Sequence, residues 1–215
     1  MNIGGYQIPK PFELIAGQVT LDLVNTLDNR FSQTGPEELL ASYNDLLRFA
    51  RQSGLLTGRQ AKQLKDLDVP EPERAAALGK VKELRETVAA ITYAQLDGKD
   101  LPASALITLD NYFKQASSHR QLTADQLRPV WSWPGLDQHV LAPVWLLAQS
   151  TADFLLSDRA RQVRCCASET CRWLFLDTSK NQTRRWCDMR VCGNRMKARR
   201  FHAARIRSPK GYNIH

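Results

Sequence analysis

A chain of 215 residues with 43% hydrophobic content suffices for one sizeable core and a small appended module. Its formal net charge of +8 is unevenly spread: residues 1–158 carry 15 Lys/Arg against 19 Asp/Glu, and residues 159–215 carry 15 against 3. The opening MNIGGYQIPK has no basic patch ahead of an apolar run, and VLAPVWLLAQSTADFLL is interrupted by Pro143, Gln149, Ser150 and Asp153, so a cytoplasmic protein without secretory signal or membrane anchor is expected.

In chain order, QVTLDLVNTLDNR places Leu21, Val24 and Leu27 at helical spacing and predicts a first helix. After a break at 32–35, PEELLASYNDLLRFARQSGLL predicts a second, with Leu39, Tyr43, Leu46, Leu47 and Ala50 on one face and Gly54 as its stop. Thr57 opens a short third helix, and the Ala-, Leu- and Glu-rich run ending at Gly98 predicts a long fourth. PASALITLDNYFKQASS predicts a fifth, with Leu106, Leu109, Tyr112 and Phe113 facing inward. RQLTA and RPVWSWPG suit a small hairpin, since Val130, Trp131 and Trp133 favour extended structure. DQHVLAPVWLLAQSTADFLLSDRARQV is expected to be the last core helix. The fold class is therefore a mainly α domain over residues 1–160, α+β by virtue of one small hairpin, followed by a module over 161–215.

That module holds every cysteine: Cys165, Cys166, Cys171, Cys187 and Cys192. In a reducing compartment such clustering points to metal rather than disulfides. Cys166-x4-Cys171 and Cys187-x4-Cys192, fifteen residues apart, supply the four thiolates of a closed tetrahedral zinc site. Cys165 would break the symmetry of spacing and is left out of the ligand set. Between the pairs, RWLFLDTSKNQTRRW offers two short strand pieces around turn residues Asp177, Thr178, Ser179 and Asn181, so a hairpin is expected to bring the pairs together. The expected order is knuckle, hairpin, helix, a treble-clef-like finger.

Gly193 and Asn194 are expected to start the final helix, with Asn194 as its cap. RMKARRFHAARIR then continues without a breaker, placing Ala198, Phe201 and Ala204 on a narrow docking side and cations elsewhere. Arg184, Arg185 and Arg195 suit two roles, neutralising a zinc tetrathiolate or contacting nucleic acid. Lys197, Arg199, Arg200 and Arg205 exceed what a metal site can absorb and point to phosphates. A catalytic zinc is disfavoured because the fourth cysteine fits the shell; His202 then reads as a solvated or phosphate-contacting residue. No nucleophile, base and orienting partner stand together, so an enzyme is not expected.

The segments FLDTS, RRWC and CGNR followed by Met196 and Lys197 resemble the CGNR zinc-finger family, and LDLVNTLDNR at 21–30 resembles the opening helix of the ABATE domain, described as a stress-induced transcription regulator. The resemblance implies Cys166, Cys171, Cys187 and Cys192 as ligands of one structural Zn2+, a DNA-binding regulator of transcription, and a helical domain that senses a small molecule. Asn25, Thr26 and Arg30 are polar residues on a core helix; around Trp145 they could line the effector pocket, or they could satisfy buried backbone groups and pair with a carboxylate such as Asp22 or Asp28. An RNA-binding or ribosome-associated protein is the alternative, and it would expose Trp173, Phe175 and Trp186 for base stacking. Homodimerisation is expected because one short helix rarely supplies enough specificity.

Overall fold

The computed structural model describes residues 10–194 and 196–198. The first helix, α1 (Val19–Asn25), begins at Gln18, whose side chain accepts from the Val19 amide, and it is buried on every side from Thr20 to Asn25. It stops earlier than expected, at Asn25 rather than Arg30. The Thr26 hydroxyl donates to the Leu23 carbonyl at 2.7 Å, and the next residues form a two-residue strand, β1 (Leu27–Asp28), paired antiparallel with β2 (Glu37–Glu38). The second helix is likewise shorter than expected. It starts at Tyr43 as α2 (Tyr43–Gln52), because Ser42 and Asp45 form a reciprocal capping box, and Gly54 follows it with the left-handed φ of 81° that a helix stop needs.

Thr57 and Gln60 make a second capping box at the start of α3 (Gly58–Asp66). The long helix α4 (Glu71–Leu96) and α5 (Ala103–Ser118) follow as expected. An exposed hairpin, β3 (Gln121–Asp125) with β4 (Arg128–Ser132), comes next. The last core helix is shorter at both ends: a 3-10 turn at Leu136–Gln138 precedes α6 (Ala142–Leu155), and another at Asp158–Gln162 follows it. No described helix is long and apolar enough to cross a membrane.

Helix α4 is central, packing against α1, α2, α5 and α6. Leu21, Leu23, Leu84 and Leu147 are fully buried between these elements. The core does not stop at residue 160. Strand β5 (Val163–Cys165) pairs antiparallel with β6 (Leu174–Leu176), and Val163, Leu174 and Leu176 belong to the same apolar cluster as the helices. The finger's only described hairpin is thus built into the helical core rather than hung from it.

Candidate metal centre and nucleic-acid interface

Cys166 follows β5 and Cys171 precedes β6, so the β5–β6 hairpin carries the first cysteine pair in its connecting loop. This corrects the expected hairpin: β6 pairs with the strand before it, not with residues 183–186. The Cys166 amide donates to the Trp173 carbonyl at 2.8 Å and the Cys171 amide to the Ser168 carbonyl at 3.0 Å, closing the loop. Arg172, next to Cys171, takes a left-handed φ of 52°, a turn of the chain that a pattern of cysteine spacings does not reveal.

Asp177, fully buried, organises the segment up to the second pair. Its carboxylate accepts from the Ser179 amide at 3.0 Å, the Ser179 hydroxyl at 2.5 Å and the Arg184 amide at 2.8 Å. The Ala167 amide donates to the Arg185 carbonyl at 2.8 Å and joins one knuckle to the other. The second pair sits on a π-helical turn, Met189–Gly193, capped by Asp188 and continued in helical form at Asn194 and 196–198. The final helix therefore starts before Cys192, and Asn194 lies inside it, its side-chain amide donating to the Arg190 carbonyl at 3.1 Å. Gly193 leaves room for the Met189 side chain, which lies over it.

The Sγ atoms of Cys166, Cys171, Cys187 and Cys192 all lie within 4.8 Å of one another and all four residues are buried. The Cys171–Cys187 and Cys187–Cys192 sulfur separations are both 3.6 Å, close to the roughly 3.8 Å edge of a tetrahedron with Zn–S bonds of 2.3 Å. Phe175, Ile15, Trp173 and Trp186 jacket the cluster. Four thiols at this spacing fit one structural Zn2+. Cys165 stands apart: burial pushes its thiol up, and its S–H donates to the Arg172 carbonyl at 3.2 Å.

The cations divide differently from the sequence grouping. Arg184 is spent on the finger itself: its guanidinium donates to the carbonyls of Trp186 (2.9 Å), Cys187 and Leu176 (3.5 Å) and lies 4.4 Å over the Phe175 ring. Arg184 is itself exposed. Arg185 and Lys197 are exposed, and Arg185 lies 5.5 Å over Trp186. Arg190 is exposed but paired with Asp188 at 3.0 Å. Arg195, Arg199, Arg200 and Arg205 lie outside the described residues, as do Phe201, His202 and Ala204. Ala198 is exposed, so the expected docking stripe has no buried member among the described residues.

The residues expected to line an effector pocket bind other parts of the protein. The Asn25 carboxamide donates to the Leu174 carbonyl and accepts from the Leu174 amide, both at 2.9 Å. Thr26 accepts from Arg85 at 3.2 Å. Arg30 pairs with Glu86, not with Asp22 or Asp28, and donates to the Val24 carbonyl at 3.3 Å. Trp145 stacks on His119 with ring centroids 3.5 Å apart. Each has a protein partner, and none lines the main clefts among the described residues, which range from about 170 to 650 Å3. Two of the polar residues of LDLVNTLDNR, Asn25 and Asp28, form a socket for the finger. Besides Asn25, Asp28 accepts from the Trp173 indole at 2.7 Å; further contacts are Tyr93 donating to the Arg172 carbonyl at 3.0 Å and the Leu176 amide donating to the Ala16 carbonyl at 2.8 Å.

Comparison with known families agrees with this division. Residues 17–158 match the ABATE family model, described as "Putative stress-induced transcription regulator", and residues 162–205 match that of the CGNR zinc finger. No curated protein matches the chain.

Proposed function

Since the chain belongs to the ABATE family and carries a CGNR zinc finger, we propose that it is a zinc-containing, DNA-binding regulator of transcription that acts as a homodimer in the cytoplasm, under the control of a small effector and without catalysis. The observation that carries this reading is the cationic segment that starts at the metal cluster. A helix that begins just after Cys187 and contains Cys192 in its first turn presents Lys197 to solvent, and Arg185 is exposed at the neighbouring knuckle. Beyond 198 the sequence adds five Lys/Arg and no Asp/Glu. A positively charged segment of this kind suits the regular phosphate spacing of a duplex. Base stacking on single-stranded RNA is less well served, because Phe175 is fully buried and the Trp173 indole is held by Asp28.

Fluorescence anisotropy with duplex DNA and single-stranded RNA across a salt series tests the reading. Duplex DNA is expected to bind more tightly. Arg185→Ala and Lys197→Ala should each keep full zinc content and flatten the slope of log affinity on log salt by about 0.9 for each phosphate no longer neutralised. Absence of duplex binding at low salt, or a preference for RNA, would contradict it.

A further inference from the structure

An open cleft of about 500 Å3 separates the finger from the amino-terminal side of the helical domain, a size within the range of small-molecule sites. Three of the metal-ligating cysteines, Cys171, Cys187 and Cys192, line one wall together with Trp173 and Val191. The segment containing Phe12, Glu13 and Ile15 forms the other, with Asn29, Glu37 and Arg48. The cleft thus combines apolar surface, one indole and several charges, and both parts of the molecule contribute to it.

The charges decide what it suits. Arg48 is engaged in part, its guanidinium 4.8 Å from the Phe12 ring centroid and 3.4 Å from the Asp45 carboxylate, while its buried Nε has no hydrogen-bond partner among the described residues. Asp28 is engaged as well, accepting from the Trp173 indole at 2.7 Å and from the Asn29 amide at 2.6 Å. Glu13 and Glu37, both exposed, have no ion pair among the described residues. Four thiolates around one divalent cation add a formal excess of negative charge to the same wall. Against these stands Lys10 at the rim. The Trp173 ring, its N–H donated to a carboxylate, offers a face that attracts cations.

From this balance we propose that the cleft binds a small organic cation, a primary ammonium group on a compact apolar body, with Glu13 and Glu37 facing the charge and Trp173, Phe12 and Ile15 covering the apolar part. The inference rests on the effector half of the function proposed above and gives it a site and a ligand class. Because the walls belong to the finger and to the helical domain, an occupant can alter how the finger is held, provided that it binds one arrangement better than the other.

Titration calorimetry of the full-length, zinc-loaded chain with phenethylamine and with 3-phenylpropanoate, in the absence of nucleic acid, tests the proposal. Phenethylamine is expected to bind saturably at one site per chain, and the carboxylate at least about tenfold more weakly. Glu13→Gln and Glu37→Gln should each weaken phenethylamine by roughly threefold, as removal of one partly exposed charge pair implies, with zinc content and unfolding temperature unchanged. The proposal is overturned if the carboxylate binds as well as the amine, if neither binds up to about 10 mM, or if the double variant keeps the original affinity. A chain that binds phenethylamine but no duplex DNA would sink the regulator reading and leave this site standing.

Discussion

Asn25 does with one side chain what a neighbouring strand would do with its backbone. Strand β6 pairs with β5 along one edge; along the other, the Leu174 amide and carbonyl are both satisfied by the Asn25 carboxamide and the Leu176 amide by the Ala16 carbonyl. All of this lies in the interior, where a backbone group without a partner costs about 1–3 kcal/mol. Asn25→Ala removes two hydrogen bonds at once and should destabilise the protein by about 2–4 kcal/mol in urea unfolding; a change below about 0.5 kcal/mol would show that water replaces the side chain there. The sequence reveals that Asn25, Thr26 and Arg30 are polar residues on a helix made for a core. It does not reveal their partners, because Leu174 stands 149 positions away and Arg85 and Glu86, which take Thr26 and Arg30, look like the ordinary charged surface of a long helix. Asp177 is more readable, since an aspartate two residues before a serine marks a local turn.

Among the elements, β2, α4 and the end of α1 are tied together by a buried cation. Arg85, 3% exposed, makes two 2.8 Å contacts with Glu38, a third with Glu86 and one with Thr26. Burial opposes ionisation of both glutamates, yet for Glu38 the hydrogen bonds and charge of Arg85, and for Glu86 those of Arg30 and then Arg85, hold the carboxyl below its ordinary value. Their contribution is complete above the unfolded value of 4.5 and is lost as pH falls through the folded one. Asp22 runs the other way: burial raises its carboxyl from 3.8 to about 6, against hydrogen bonds from Ala16 and Ile15. The folded state therefore holds this proton more tightly, and stability is lost as pH rises between those values. The advantage of Asp22→Asn over the parent in urea midpoint should grow from about pH 4 to 6 and then level off; a difference that is constant with pH would contradict the assignment. At this scale much of the fold is legible, because Thr57, Gly54 and Gly98 mark helix ends by local chemistry. The finger's hairpin is not, because β5 contains only Val163–Cys165 and its pairing is decided by the core it enters.

Across the whole molecule, the metal cluster and the helical core share one hairpin. Leu174 and Leu176 pack in the main core, whereas Phe175 between them packs against the four cysteines, so alternate faces of a three-residue strand serve the two halves. Metal binding and helical packing should consequently stabilise each other, with zinc supplying folding free energy through its ligands. The boundary near residue 160 is a division of sequence families, and the core continues across it. Thermal unfolding followed by calorimetry, on the parent chain, Cys165→Ser and Cys166→Ser with zinc content measured on each, puts this to the test. The parent and Cys165→Ser should hold one zinc per chain and unfold in a single transition. Cys166→Ser should lose the metal and bring the unfolding temperature of the helical core down with it. Zinc loss that leaves the helical transition where it was, or a Cys165→Ser chain that loses zinc while Cys166→Ser retains it, would contradict the ligand assignment or the shared core.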